Sequence, residues 1–125
     1  MIKGIGIDVI HVNRMERWMM MPGLMARFFH PDELSAALAK GSSTTLSLAA
    51  RFAAKEAFGK ALGTGLTGIV LKDIVVKNRH NGQPEIEVYG TALAALNKNG
   101  ASKIHLSLTH ERDNAIAMVV LENEP

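Results

Sequence analysis

The first ten residues alternate in a way that predicts a β-strand. Apolar side chains recur with a period of two at Ile5, Ile7 and Val9. The positions that share the opposite face are Gly4, Gly6 and Asp8. Aspartate is depleted in strands, and the two glycines leave room for a ligand or another backbone. Asp8 is therefore a candidate ligand-binding residue, the alternative being an edge aspartate that caps the next helix.

Helix signals fill the rest of the first half. Asn13 and Glu16 have the spacing of a helix cap and its reciprocal partner, and His30-Pro31-Asp32-Glu33 is typical of a second helix start. Four helices are expected, over residues 13–21, 24–29, 31–40 and about 45–62. The residues that end the first, third and fourth are Pro22-Gly23, Gly41 and Gly63.

Strand signals dominate the second half. Strands are expected over residues 71–77, 85–89, 103–109 and 115–121, with a short helix over 91–99 before Gly100. Asn81-Gly82 is a strong turn signal between the first two of these strands. Helices early and a mostly antiparallel sheet late predict one α+β domain over residues 1–125.

Composition narrows the class of protein. The chain has 125 residues, of which 47% are hydrophobic, so a packed core is expected rather than disorder. No apolar run approaches the roughly 18 residues that span a bilayer, and the first six residues lack the features of a signal peptide. With no cysteine, disulfides, thiolate metal ligands and cysteine nucleophiles are excluded, which fits a cytoplasmic protein. A net charge of +2 is too small to indicate nucleic-acid binding.

Glu56 is an unusual carboxylate on the longest predicted helix. Its neighbours at helical spacing are Ala49, Phe52, Ala53 and Lys60, so it lies within a largely apolar arc. A carboxylate there must be paired, protonated or bound to a cation. The simple alternative is an ion pair with Lys60, four residues on, which needs no function.

Asp8 and Glu56 together suggest a magnesium site. Magnesium is usually held by one or two carboxylates, with water and phosphate oxygens at the remaining positions. Lys60 and the glycine-rich loop after Leu62 add positive charge and free backbone N–H groups for phosphates. The loop is not a P-loop, because the Gly-Lys-Ser/Thr element is missing.

A third cluster lies on the strand predicted over residues 103–109. His105, Ser107 and Thr109 share one face, while the apolar residues between them face the core. The simple alternative is the polar outer side of a half-exposed strand. A serine hydrolase is rejected, since there is no Gly-x-Ser-x-Gly elbow and the serine lies in the middle of a strand.

Methionines and cations meet on the first predicted helix. Met19, Met20 and Met21 follow Trp18, and most of this apolar surface is expected to fill the core. With Arg14 and Arg17 on the same segment, a soft apolar patch beside cations could also dock an acidic helical partner.

The motifs, taken together, resemble the holo-acyl-carrier-protein synthase family, of the short bacterial type of 4′-phosphopantetheinyl transferases. The resemblance covers nearly the whole chain. It is carried in order by Gly4-Ile5-Gly6-Ile7-Asp8, by Arg51-Phe52-Ala53-Ala54-Lys55-Glu56-Ala57 and on to Gly65, by Gly82-Gln83-Pro84, by His105-Leu106-Ser107-Leu108-Thr109-His110, and by residues 115–122. The segment from Arg51 to Ala57 is the most specific, and the glycine-rich start is weaker.

The resemblance implies a magnesium-dependent transferase that moves 4′-phosphopantetheine from coenzyme A to a serine of apo-acyl carrier protein. It implies a cytoplasmic homotrimer, active in fatty-acid biosynthesis, with coenzyme A in clefts between subunits. Asp8 and Glu56 match the magnesium ligands, and Lys60 the phosphate-contacting lysine. The residues that match coenzyme A contacts are Arg51, Gly63, Thr64, Gly65, Gly82, Pro84 and His105. Arg14 and Arg27 match positions that meet acidic residues of the carrier protein.

Three questions stay open at this level. The proton of the carrier serine could pass to a metal-bound water or to Glu56. Many relatives carry Glu where this chain has His11, which puts a role of that position in metal water networks in doubt. The competing functions are a non-catalytic module that binds coenzyme A or a nucleotide, and a plain trimer-forming interaction protein. We expect no membrane and no nucleic-acid partner for this chain.

Overall fold

The computed structural model describes residues 1–124 as five strands and five α-helices. In chain order these are β1 (Ile2–His11), α1 (Val12–Met19), α2 (Leu24–Phe28), α3 (Pro31–Leu38), α4 (Thr44–Leu62), β2 (Ile74–Asn78), β3 (Pro84–Val88), α5 (Gly90–Asn99), β4 (Lys103–Glu111) and β5 (Asn114–Glu122). Short 3-10 turns at Gly41–Ser43 and Leu71–Asp73 precede α4 and β2. The predicted α+β class is confirmed.

The larger sheet is antiparallel, with the strand order β1-β5-β4. Helix α4 packs directly on the backbone of its edge strand β1. A Cβ atom added at Gly4 would lie 1.8 Å from the carbonyl oxygen of Ala61, and one at Gly6 would lie 1.9 Å from that of Ala57. Only glycine allows this approach, so Gly4 and Gly6 fix where the helix crosses the strand.

The same contact decides which side of β1 faces the core. The glycine side meets α4, and the apolar side of the strand is left open. Ile5, Ile7 and Val9 are 60%, 56% and 51% exposed, and Met118, the partner of Ile7 on β5, is 44% exposed. These four residues form the exposed sheet face.

The core surrounds α4. Its first half is covered by α1 and α2 through an aromatic cluster in which Trp18 lies 5.4 Å from Phe28 and 4.9 Å from Phe52, ring centre to ring centre. Such edge-to-face pairs add to the burial of the rings themselves. The second sheet is the antiparallel pair β2-β3, which packs beside β4. None of the helices in residues 1–124 combines the length and hydropathy needed to cross a bilayer.

The predicted elements are present, with shifted boundaries. The cap predicted at Asn13 is wrong: the ring Nδ1 of His11 accepts the Asn13 N–H at 3.0 Å, so α1 begins at Val12. The alternative role of Asp8, as the residue that caps this helix, is also wrong, because His11 occupies the cap position. The helix start at His30 is confirmed, with Glu33 as reciprocal partner. Residues 71–73 form a 3-10 turn instead of strand.

Candidate active site

Asp8 lies on β1 beside α4 and has one bonded and one free oxygen. Its side chain is 14% exposed, and Oδ1 accepts a hydrogen bond from Lys60 Nζ at 2.9 Å. Lys60 Nζ also donates to the carbonyl oxygen of Ile7 at 3.1 Å. Oδ2 is buried and has no hydrogen-bond partner in the described chain. A buried anionic oxygen without a partner is unfavourable and is a natural ligand for a cation.

Glu56 lies one helical turn before Lys60 on α4. Partial burial raises the pKa of the Glu56 carboxyl, the charge of Asp8 raises it further, and the charges of Lys60 and Arg14 oppose the rise. In residues 1–124 Glu56 forms no ion pair, since Lys60 pairs with Asp8 instead. The alternative of a simple Glu56–Lys60 pair is therefore wrong.

The donor set of these two carboxylates fits magnesium. No group of three or more His, Cys, Asp or Glu side chains that could hold a metal occurs in the part of the chain that the structure describes. Magnesium does not need one, because it is commonly bound by one or two carboxylates and completed by water and phosphate. The unbonded Oδ2 of Asp8, together with Glu56, supplies two hard oxygen donors.

The glycine-rich loop lies directly after Lys60. Gly63 caps α4 in the left-handed conformation with φ of 82°, and its N–H donates to the Lys60 carbonyl oxygen at 3.0 Å. Gly65 turns back onto the helix, with φ of 66° and its N–H on the Gly59 carbonyl oxygen at 3.0 Å. Thr64 lies between them, so the three loop residues follow the last turn of α4, which carries Lys60. The expectation of free backbone N–H groups is wrong for Gly63 and Gly65, because both donate to carbonyl oxygens of the helix.

Pro84 and His105 line a second region. They share a groove of about 650 Å³ with Gln83 and Arg79, between β3 and β4. Gly82 holds the turn before it in the left-handed region, with φ of 83°. His105 Nε2 lies 2.9 Å from Glu122 Oε1, a contact that lowers the pKa of the Glu122 carboxyl.

Arg51 lies in a third region, inside the molecule. Its side chain is nearly buried, Nη1 donates to the carbonyl oxygen of Val76, and Nε lies 3.4 Å from Ser47 Oγ. Burial lowers the pKa of its guanidinium, and the charge of Glu33 opposes that shift. Arg51 borders two cavities of about 340 and 100 Å³, which Lys77 and Lys40 line respectively.

The predicted site residues thus fall into three regions of one chain. Asp8, Glu56 and Lys60 meet, with the loop 63–65 next to them. Neither the groove at Pro84 and His105 nor the cavities at Arg51 include any of those residues in their linings.

Arg14 and Arg27 lie on the helices outside these regions. The guanidinium of Arg14 is 4.7 Å from the ring centre of Trp18, and Arg27 is in the last turn of α2. Met20 and Met21, in the connection between the two helices, are 85% and 52% exposed, so the expectation that these methionines mostly fill the core is wrong. Because the charge of Arg14 acts on Glu56, this basic and apolar surface borders the carboxylates.

Sequence reasoning missed two carboxylates that hold predicted site residues. Glu122 bonds His105, and Glu33 lies buried beside Arg51 and Lys55. The capping spacing His30 to Glu33 was the available signal, but it predicts only a bond to the backbone of His30. A fully buried glutamate needs further partners, and those come from distant segments.

The family follows from comparison with known proteins. The model of the 4′-phosphopantetheinyl transferase superfamily matches residues 4–119. The chain belongs to this superfamily. Among curated superfamily proteins, the holo-[acyl-carrier-protein] synthase of Treponema denticola is 55% identical over 122 residues, covering 98% of this chain and 99% of its own. That of Treponema pallidum is 47% identical over 125 residues, covering 100% and 99%.

Solved structures of the superfamily share the fold. The crystal structure of holo-[acyl-carrier-protein] synthase from Neisseria meningitidis superimposes with a TM-score of 0.86 at 37% identity, over 98% of this chain and 100% of that one. The Bacillus anthracis synthase in complex with CoA (3′,5′-ADP) gives 0.81 at 39% identity, over 99% of each chain. The resemblance seen in the sequence motifs is confirmed.

Proposed function

We propose that this chain is a holo-[acyl-carrier-protein] synthase. It transfers 4′-phosphopantetheine from coenzyme A to a serine of apo-acyl carrier protein and releases adenosine 3′,5′-bisphosphate. The observation that carries the proposal is the buried, unbonded Oδ2 of Asp8 beside Glu56 and Lys60. Relatives of full length carry this name, and one solved relative is described as a complex with CoA.

Magnesium is the cation that we assign to Asp8 and Glu56. Both are oxygen donors, and binding there would relieve the unbonded oxygen and the mutual repulsion of the two carboxylates. When bound, the ion supplies charge neutralisation at the pyrophosphate and at the departing phosphate oxygen.

Lys60 and Glu56 do the remaining chemistry of this chain. The serine oxygen forms a bond to the β-phosphorus, the bond from that phosphorus to the bridging oxygen breaks, and adenosine 3′,5′-bisphosphate leaves with the electron pair. Lys60, whose side chain is 54% exposed, stabilises charge on a non-bridging oxygen. We assign the serine proton to Glu56, because this carboxylate forms no ion pair within residues 1–124 and its oxygens can accept a proton.

Coenzyme A would contact all three regions. The Thr64 N–H, which donates no hydrogen bond within residues 1–124, suits the pyrophosphate beside Lys60, whereas the N–H groups of Gly63 and Gly65 are bonded to carbonyl oxygens. Gly82, Pro84 and His105 would hold the adenosine end in their groove, and Arg51 would offer its guanidinium to a phosphate. Since the residues of these three regions do not share a cavity within one chain, we infer that a complete site combines residues of neighbouring subunits.

The exposed sheet face is the surface we assign to that assembly, as a homotrimer. Ile5, Ile7, Val9 and Met118 are each more than two-fifths exposed and adjacent across β1 and β5. A contiguous apolar face of this kind marks an interaction site. Sedimentation analysis should give a trimer, and Ile7→Glu should give a monomer without transferase activity. A monomeric wild-type chain with full activity would refute the assignment.

Arg14 and Arg27 form the surface we assign to apo-acyl carrier protein. Their charges flank exposed Met20 and Met21, so an acidic helix with apolar residues suits this surface. The surface borders Glu56, which would bring the carrier serine to the carboxylates. We place the reaction in the cytoplasm, in fatty-acid biosynthesis.

Mass spectrometry tests the whole proposal. Apo-acyl carrier protein incubated with this chain, coenzyme A and magnesium should gain the mass of phosphopantetheine on serine. Asp8→Ala and Glu56→Ala should abolish the gain while circular dichroism shows a folded protein. Near-normal turnover by either variant would exclude the metal assignment. Binding of coenzyme A without transfer by the wild type would favour a non-catalytic module instead.

A further inference from the structure

Three side chains occupy the free edge of strand β2. This strand pairs with β3 along one edge only, and the other edge faces α3 and α4. There Glu33 Oε2 accepts the Val76 N–H at 3.1 Å, Arg51 Nη1 donates to the Val76 carbonyl oxygen, and Lys55 Nζ donates to that of Ile74 at 2.6 Å. In a strand the N–H and C=O of one residue point to the same edge. Glu33 and Arg51 therefore bond Val76 as a neighbouring strand would.

Glu33 is the centre of this arrangement. It is 1% exposed, and its Oε1 accepts from Lys55 Nζ at 2.8 Å and from the His30 N–H at 3.1 Å. Arg51 Nη1 lies 4.0 Å from its Oε2. One carboxylate thus links the start of α3, two cations of α4 and strand β2. Buried polar groups bonded this completely rigidify the elements they join.

The arrangement orients Arg51. Its Nη1 and Nε are held by Val76 and Ser47, whereas Nη2 has no hydrogen bond within the described residues and is not among the buried unsatisfied atoms. Nη2 is therefore the nitrogen of Arg51 that is free to meet a ligand. The same bonds hold β2, and through it the hairpin that carries Gly82 and Pro84.

We propose that Glu33 is a positioning residue for coenzyme A: bonded to Val76 and paired with the cations of α4, it sets the place of Arg51 and of the β2-β3 hairpin. It acts through Arg51 and never touches the cofactor. This inference rests on the proposed function, in which Arg51 and the hairpin contact coenzyme A.

Steady-state kinetics with both substrates varied tests it, beside calorimetry with coenzyme A. Glu33→Gln should raise the KM and the Kd for coenzyme A about tenfold, since Arg51 loses its charged partner. The KM for the carrier protein should stay within about twofold, because its surface lies on α1 and α2. Glu111→Gln is the matched control: it alters an exposed carboxylate that pairs with Arg112 outside the β2-β3 hairpin, and both KM values should be unchanged.

A second variant separates positioning from loss of folding. Glu33→Gln/Lys55→Met removes both charges of the buried pair, so thermal denaturation should show most of the lost stability restored. The Kd for coenzyme A should remain raised at least about fivefold, since Arg51 still lacks its carboxylate partner. Recovery of wild-type affinity together with stability would overturn the proposal, as would parallel rises in both KM values.

The experiments distinguish a failure of the proposed function from a failure of the positioning role of Glu33. If the wild type binds coenzyme A but transfers nothing, the proposed function fails, and the Kd values of the variants still decide the role of Glu33. If the wild type neither binds nor transfers, both are overturned. If it transfers and the variants bind coenzyme A as the wild type does, only the positioning role is overturned.

Discussion

Helix α4 carries two ionic clusters on different sides, and they differ in how completely their polar atoms are bonded. The inner cluster is Glu33, Lys55 and Arg51, and the outer cluster is Asp8, Glu56 and Lys60. In the inner cluster both oxygens of Glu33 accept hydrogen bonds, and Lys55 donates to one carboxylate and two carbonyl oxygens. In the outer cluster one oxygen of Asp8 has no partner, and Glu56 has no ion pair within residues 1–124.

The difference indicates a structural role for the inner cluster and a ligand-binding role for the outer cluster. Lys55 and Glu56 are neighbours in the sequence, yet one is fully buried and the other is half-buried beside a second carboxylate. A bonded buried cluster fixes elements against each other, and in the inner cluster only Nη2 of Arg51 is left to meet a ligand. A cluster with an unbonded oxygen and two carboxylates that repel each other favours the binding of a cation.

The largest effect should come from breaking the inner cluster. Lys55→Met leaves the Glu33 carboxylate buried without its closest cation, which should lower the free energy of unfolding by about 3–5 kcal/mol. Urea denaturation followed by circular dichroism measures this. Lys77→Met, which breaks an exposed ion pair with Glu87, should leave it nearly unchanged. Equal losses in the two variants would contradict the contrast between buried and exposed pairs.

Substitutions in the outer cluster should lower transferase activity rather than stability. Asp8→Asn keeps the size of the side chain but replaces an anionic ligand with a neutral one. We expect transfer to fall by at least about a hundredfold, with stability unchanged or increased, because an unbonded buried charge is removed. Turnover assays and urea denaturation on the same preparation measure both. A loss of stability comparable to that of Lys55→Met would show that Asp8 belongs to the scaffold.

Local patterns in the sequence were enough to predict most of the elements and to identify the individual residues of the outer cluster as candidates. The strand with Asp8, the helix with Glu56 and Lys60, and the cap at Gly63 each depend on residues within a few positions. The cap of α1 was mispredicted because asparagine is a better cap by propensity than histidine, while the ring of His11 happens to reach the free N–H.

Contacts between distant segments could not be predicted in this way. Alternation in β1 identifies two faces, but the inward face is chosen by the close approach of α4, which admits only Gly4 and Gly6. The links from Glu33 to Lys55 and to Val76 span 22 and 43 positions, so no local period marks them. The free oxygen of Asp8 likewise depends on where α4 crosses the strand.

The stabilisation that magnesium gives through the outer cluster should depend on pH. Folding raises the pKa of Glu56, so this group favours the metal-free folded state at low pH, and the contribution is lost as pH rises through the raised pKa. Magnesium needs the ionised form, so its stabilising effect should grow over the same range, reaching about 2.7 kcal/mol at a hundred times its Kd. Thermal denaturation with and without magnesium, over a pH series that begins near 4.5, the ordinary pKa of a glutamate, and rises to pH 8, measures this. Glu56→Gln should weaken the magnesium effect and remove its pH dependence; an effect in the wild type that is independent of pH would contradict the ligand role.

The smallest effect should come from the surface beside the outer cluster. Arg14→Glu reverses a charge that faces the carrier protein, so the KM for apo-acyl carrier protein should rise about tenfold, while the KM for coenzyme A changes by less than about twofold. Steady-state constants for each substrate measure this, and the rise should shrink at high salt because exposed charges are screened.

The same substitution removes a cation that opposes the raised pKa of Glu56, so the acidic limb of the rate profile should move to higher pH. Arg17→Glu reverses a charge on the same helix, and Arg17 is not among the charges that shift the pKa of Glu56, so this variant is the control for that second effect. An unchanged carrier-protein KM in Arg14→Glu would restrict Arg14 to its electrostatic influence on the carboxylate.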